Sequence, residues 1–308
     1  MLLTHFRRAT ILPGRLSRLH QSRRTVRTLP SFSLEGKVAV VTGAGRGLGH
    51  EFLTGFALSG ARGACIDLTQ QTSDASIATI RDKVKQAQPD LPVPTLQGYA
   101  CDATIESNVK ATVDQILADF GQIDVLVTAA GMVDNVEAEN YDYARWRRML
   151  DINLDGTFMT AREVGKHMIA RGVRGCSIIL VASMTATACP KPQKQAAYNA
   201  SKGAVVMLAK SLATEWAPHG IRVNSLSPGY TRTPLIRGLL ESDGRRDLVD
   251  SWNADIPIGR IAEPHEMMGP AVWMASDASS YLTGSDVVSF FFFFFCSSSN
   301  AIESRLAD

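Results

Sequence analysis

Long apolar runs are missing from this 308-residue chain. The longest block, Phe290 to Phe295, is far short of the ~20 residues that a membrane-crossing helix needs. No membrane partner is expected. Cysteine is also scarce. Cys65, Cys101, Cys176, Cys189 and Cys296 show no C-x-x-C spacing, so neither a metal site nor a disulfide framework is indicated. Buried thiols in a reducing compartment fit better. Lysine and acidic residues are absent from residues 1–30, which hold seven arginines. Taking those seven from the 32 basic residues leaves 25 against 30 acidic ones. The remainder is mildly acidic and carries no footprint for nucleic acid.

What is present falls into three parts: residues 1–30, 33–288 and 289–308. In the first, Leu12, Leu16 and Leu19 can share a helix face beside Arg15 and Arg18. That composition matches a transit peptide for the mitochondrial matrix rather than a secretory signal, which needs an uninterrupted apolar core. A disordered basic tail on a cytoplasmic protein is the alternative. The apolar fraction of 45% and charged fraction of 20% belong to a soluble globular chain.

From Lys37 the pattern is strand, turn, helix. Val38-Ala39-Val40-Val41 is a β-branched run, followed by Thr42-Gly43-Ala44-Gly45-Arg46-Gly47-Leu48-Gly49 and an apolar-periodic helix. Glycines there let backbone N–H groups approach a pyrophosphate at a helix N-terminus. The next strand ends at Asp67, about 20 residues on, where a carboxylate reads a ribose 2′-hydroxyl and repels a 2′-phosphate. NAD is therefore favoured. NADP stays possible, because Arg46 could meet the extra phosphate.

Alternation continues with a helix over 72–88, a strand over 96–101 ending at Asp102, and a helix over 105–120. A strand over 123–129 leads to Ala130-Gly131. A single long helix over 146–168 carries Asn153, and a strand over 176–182 ends at Ser183. The helix of Tyr198 follows, then a strand over 221–226 ending in Ser227-Pro228-Gly229. The pattern predicts one doubly wound α/β domain, its parallel sheet covered by helices on both faces.

Tyr198 and Lys202 are four residues apart on one helix face. A tyrosine is a poor base at neutral pH, and an ammonium one turn away would favour its phenolate. Ser183, fifteen residues upstream, could hold a substrate oxygen against the phenol. By spacing alone, a packed tyrosine beside a solvated lysine is much the commoner explanation of such a pair.

Taken together, these residues resemble the short-chain dehydrogenase/reductase superfamily over residues 33–288. The likeness rests on T-G-x-x-x-G-x-G at Thr42 to Gly49, Asp102, Asn153 in I-N-L-D-G, Ser183, Y-x-x-x-K at Tyr198 and Lys202, and Pro228-Gly229. It implies that Tyr198 is the general acid/base, that Ser183 holds the substrate oxygen, and that Asn153 serves a proton relay. Lys202 would bind the nicotinamide ribose and lower the tyrosine pKa. Thr233 would meet the carboxamide, Asp102 the adenine, and Gly43, Gly47, Leu48, Gly49 and Gly131 the rest of the dinucleotide. The segments Tyr198–Lys202, Ser211–Ala217 and Arg222–Tyr230 are similar to the fungal polyol and ketose branch, which includes D-arabinitol 2-dehydrogenase, sorbose reductase and mannitol 2-dehydrogenase. A polyol or ketose substrate such as D-arabinitol or D-ribulose follows, as does a homo-oligomer, a tetramer in the family. Asp134, Asn135, Gln193 and Gln195 are candidates to meet substrate hydroxyls.

Two departures stand out. Thr128-Ala129-Ala130-Gly131 replaces the family's N-N-A-G, with Thr128 still able to donate a hydrogen bond and a modest effect expected. After Val288 the family's V-D-G-G gives way to Ser289 and six phenylalanines, so the last strand should stop near Ser289. The tail is expected to be poorly ordered beyond Phe295 and to hinder solubility and tetramer formation. Besides the polyol reading, two others stay open: a 3-oxoacyl or other carbonyl reductase using NADPH, and a dinucleotide-binding protein impaired in catalysis by its C-terminus.

Overall fold

Strands β1 (Val38–Thr42), β4 (Val125–Thr128) and β5 (Cys176–Val181) are buried along their whole length. That burial explains why they read as continuous apolar runs rather than alternating ones. Within them the side chains still alternate between faces. Val38 and Val40 enter one core with Ile178 and Leu180, while Ala39 and Val41 enter the opposite core with Ile179 and Val181. The computed structural model describes residues 28–234 and 246–289. The tail beyond Ser289 and most of residues 1–30 lie outside them.

With β2 (Arg62–Asp67), β3 (Leu96–Ala100), β6 (Ile221–Ser227) and β7 (Asp286–Val288), these strands form one seven-stranded sheet ordered β3-β2-β1-β4-β5-β6-β7. Every pairing is parallel. Helices α1 (Gly47–Leu58) and α2 (Gln70–Ala87) cover one face. The other is covered by α3 (Glu106–Phe120), with α4 (Tyr143–Leu150) leading into α5 (Gly156–Arg171), and by α6 (Ala196–Trp216). Further on, α7 (Arg246–Asp255) precedes α8 (Met268–Ala275), which joins the α1 face. Local chemistry sets several helix starts. Thr69 caps α2 by accepting the Thr72 N–H at 3.2 Å, and Asp142 caps α4 through the Arg145 N–H at 3.1 Å.

Two local differences from the sequence pattern matter. The single helix expected over 146–168 is instead α4 and α5 joined by one π turn, Asp151–Asp155. The extra residue in that turn comes where Asn153 must reach the backbone of Met132, and the widened turn accommodates it. Thr128 keeps a hydroxyl able to donate a hydrogen bond, yet among the described residues that hydroxyl is buried with no partner. No helix among the described residues is long and apolar enough to cross a membrane.

Candidate active site

Strand order reverses between β1 and β4, where β1 lies next to both β2 and β4. Doubly wound sheets open a crevice at such a reversal, at the carboxyl ends of their strands. The glycine turn lies there. Gly43 has φ +64°, and a Cβ on it would sit 2.7 Å from the Ala130 backbone. Gly47 has φ +62° and opens α1. A Cβ on Gly49 would fall 2.4 Å from the Gly43 carbonyl oxygen, so this glycine lets helix and strand close together. Leu48 is half-buried against the α1-side core.

Arg46 occupies the N-cap position of α1 without a capping bond, and its side chain is exposed. Among the described residues the first-turn N–H groups have no side-chain acceptor, and the positive end of the helix field faces the crevice. The narrow glycine cradle and this helix end fit a dinucleotide diphosphate. Asp67 ends β2 beside them. One of its oxygens accepts the Gly45 N–H at 2.9 Å and the other the Leu68 N–H at 2.9 Å. Asp102 accepts the Thr104 hydroxyl at 2.7 Å and the Thr104 N–H at 2.9 Å. Those two bonds hold its carboxyl below the usual carboxylate range.

Across the crevice, Ser183 follows β5. Its Oγ accepts the Thr185 hydroxyl at 3.0 Å and the Thr185 N–H at 3.2 Å. With both lone pairs engaged, the serine's own proton is available to the Tyr198 phenol. Burial pushes that phenol above its ordinary value, and the Ser183 hydrogen bond opposes the rise. Lys202 is 5% exposed, with Nζ donating to the Val181 carbonyl at 2.8 Å and lying 5.9 Å from the centre of the Tyr198 ring. Burial lowers the ammonium to about 8. The spacing predicted a lysine that depresses its tyrosine. In the structure burial is the largest influence on each group and pushes each toward its neutral form.

Asn153 is fully buried in the π turn. Its Oδ1 accepts the Met132 N–H at 2.9 Å, while Nδ2 donates to the Met132 carbonyl and to Ser201 Oγ, both at 3.0 Å. Ser201 in turn donates to the Tyr198 carbonyl at 2.7 Å. A Cβ on Gly131 would stand 3.2 Å from Asn153 Oδ1 and 3.6 Å from Lys202 Nζ. The segment after β4 and the helix of Tyr198 are thus brought together around Asn153. Pro228 is tied to the Ser183 side by the Met184 N–H at 3.1 Å, and Gly229 donates to Ser289 Oγ at 3.2 Å. Thr233 is buried near the glycine turn, 3.9 Å from where a Gly47 Cβ would be.

Two of the residues expected to meet substrate hydroxyls are already committed. Asp134 accepts the Tyr141 hydroxyl at 2.6 Å and Arg145 Nε at 3.1 Å. Gln193 is engaged by Tyr230 and Trp252. Asn135 is exposed, and Gln195 stands at the N-cap position of α6 without a capping bond. Thr185 and Ser201 went unnoticed in the sequence. A hydroxyl two residues after Ser183 and another within the Y-x-x-x-K segment were the available signals.

A family model described as Enoyl-(Acyl carrier protein) reductase matches residues 43–289. The NADH-dependent L-xylulose reductase of Ambrosiozyma monospora is 34% identical over 262 residues, covering 84% of this chain and 96% of that one. The chain belongs to the short-chain dehydrogenase/reductase superfamily. The D-threitol dehydrogenase of Mycolicibacterium smegmatis is 39% identical over 257 residues, covering 83% and 92% of the two chains. The crystal structure of a short-chain type dehydrogenase/reductase from Mycobacterium marinum matches with a TM-score of 0.76 at 35% identity, over 84% of this chain and 95% of that one. As a short-chain dehydrogenase/reductase, the protein is an NAD(P)-dependent oxidoreductase that interconverts secondary alcohols and ketones.

Proposed function

We propose that the protein interconverts a polyol and its ketose with NAD(H), D-arabinitol and D-ribulose being the first pair to test. The observation that carries the reaction is the Ser183 hydroxyl, oriented by Thr185 and available to the neutral phenol of Tyr198. The nicotinamide, when bound, supplies or accepts the hydride. Ser183 would steady the substrate oxygen. Tyr198, kept protonated by burial, gives its proton to a ketone oxygen in reduction and receives one from the alcohol in oxidation. Lys202 would hold the ribose from its buried position, and Asn153 keeps the surrounding segments in register. Gly43, Gly47 and Gly49 would cradle the diphosphate, with Asp102 and Thr233 at its two ends.

Asp67 supports NAD. Its carboxylate is fixed beside the glycine turn by the Gly45 N–H, where a 2′-phosphate would meet its charge. The activities of the two relatives, on L-xylulose and D-threitol, support the substrate class. A second reading, an acyl or other carbonyl reductase using NADPH, draws on the description of the family model and on exposed Arg46. A homotetramer in the mitochondrial matrix completes the proposal.

The test is a panel of D-arabinitol, other pentitols and tetritols, their ketoses and 3-oxoacyl thioesters, run with both cofactors and followed by nicotinamide absorbance. The highest kcat/KM should belong to a polyol–ketose pair with NAD(H). A thioester preferred with NADPH overturns the reading. Tight NADH binding with no turnover of any substrate would identify a binding protein instead.

A further inference from the structure

A third, smaller core lies apart from the two that cover the sheet. Met184, Tyr230, Trp252, Ile256 and Ile261 form it, directly beside Ser183. The Tyr230 and Trp252 rings stack with centroids 4.2 Å apart and planes 14° from parallel. Each ring carries one polar atom, and both converge on Gln193. An indole N–H can only donate, which decides how the Gln193 amide lies. Its oxygen accepts Trp252 Nε1 at 2.8 Å and the Tyr230 hydroxyl at 2.6 Å. Its nitrogen donates to the carbonyls of Pro190 at 2.9 Å and Lys191 at 3.1 Å. The opposite orientation would set an amide N–H against the indole N–H. In this one, all four bonds of the amide are made.

These bonds join three separate stretches of the chain. Gln193 lies in the segment that leads into α6, five residues before Tyr198. Tyr230 directly follows Pro228-Gly229, and Trp252 belongs to α7. Met184, in the same core, is the residue after Ser183. The glycine turn and Asp67 have no part in the joint. We propose that Gln193 is a positioning residue that locks α7 and the Tyr230 segment to the approach of α6, and thereby sets substrate affinity far more than dinucleotide affinity. This rests on the reading of Ser183 and Tyr198 as the reacting pair. A leucine at 193 would remove all four bonds of the amide at once, so the joint opens rather than tightens. A substrate held by several hydroxyls is sensitive to that displacement, because productive binding tolerates little misplacement.

The experiment compares full-length Gln193→Leu, Tyr230→Phe, Trp252→Phe and the Gln193→Leu/Tyr230→Phe pair with the parent, using D-arabinitol and NAD. Gln193→Leu should raise the KM for D-arabinitol about tenfold, with kcat reduced by less than about threefold, the pattern of lost ground-state binding. The Kd for NAD, from calorimetry, should stay within about twofold, since none of the substituted side chains is itself a dinucleotide contact. Tyr230→Phe removes one hydroxyl while keeping the stacked ring, so it reports even if the leucine variant fails to fold. The double variant should be no worse than Gln193→Leu alone, as expected of residues acting through one joint. Hydrogen exchange should accelerate together in segments 189–195 and 249–255 of the variants. An unchanged KM, additive effects, or an equal loss of NAD affinity overturns the proposal. If the parent turns over no polyol, the proposed function fails, and unlinked exchange in the two segments would sink the joint separately.

Discussion

Replacing Lys202 with methionine should make the nucleotide-free protein more stable while destroying its activity. The ammonium is buried with one hydrogen bond, to Val181, and burial brings it to about 8 from an ordinary 10.5. Below pH 8 folded and unfolded chains both hold the proton, so the cost of burying the charge is fully present. Between pH 8 and 10.5 the unfolded chain holds more protons than the folded one, and stability rises with pH. At pH 7 the penalty is about 3 kcal/mol, falling to about 2 kcal/mol at pH 9. Methionine fills a similar volume without charge but leaves the Val181 carbonyl without its partner, an offset of about 1 kcal/mol. The net gain of about 2 kcal/mol at pH 7 corresponds to a Tm higher by roughly 4–8 °C for a domain of this size. Thermal melts of parent and variant at pH 7 and pH 9, without nucleotide, measure both quantities. A variant no more stable than the parent at pH 7, or a gap that does not narrow by pH 9, would falsify the assignment of a buried, strained ammonium.

Tyr198→Phe removes the proton donor and little volume, so turnover should fall below about a tenth of the parent with NADH affinity nearly unchanged; larger residual activity would place the proton elsewhere. Asp67→Ala should shift the ratio of kcat/KM for NADH over NADPH toward NADPH by about tenfold or more, through loss of one repulsion at the ribose; a parent that already prefers NADPH refutes this role. Thr128→Val swaps a buried, unpartnered hydroxyl for a methyl and should raise Tm by a few degrees, about 1 kcal/mol. A fall in Tm would show that the hydroxyl has a partner. Residues 1–30 fused to a soluble reporter should carry it into mitochondria, and Arg→Gln changes there should leave it in the cytosol; a native fusion that stays cytosolic ends the proposal.

Strand runs, the glycine turn and the alternation of elements were legible because burial and backbone geometry restrict residue type one element at a time. The Tyr198–Lys202 pairing was legible for the same reason, since helical spacing is local. Its electrostatics were not. Spacing places an ammonium near a phenol, but the direction of each shift depends on how much water remains, which only packing decides. Asp134 illustrates another limit. A carboxylate on a loop at a strand end suits substrate binding or a salt bridge equally, and Tyr141 and Arg145 turn it to the second use. Gln193 looked like a free polar group because its partners, Tyr230 and Trp252, lie 37 and 59 residues further along the sequence. The π turn was hidden because one extra residue barely disturbs a hydrophobic pattern read over twenty.

That turn also fixes the phase between two helices. Each residue of an α-helix rotates the side chains by about 100°, so α4 and α5 are offset by the residue that Asp151–Asp155 takes up. Met149 is buried on one side of the offset, and Ala161, Val164 and Met168 on the other. Deleting one residue between 151 and 155 could restore an unbroken helix with better local hydrogen bonding. It would also swing the buried stripe of α5 away from the sheet and withdraw Asn153 from Met132. Chain length at this spot is therefore constrained more tightly than residue identity, and a locally favourable helix is the one the rest of the molecule cannot accept.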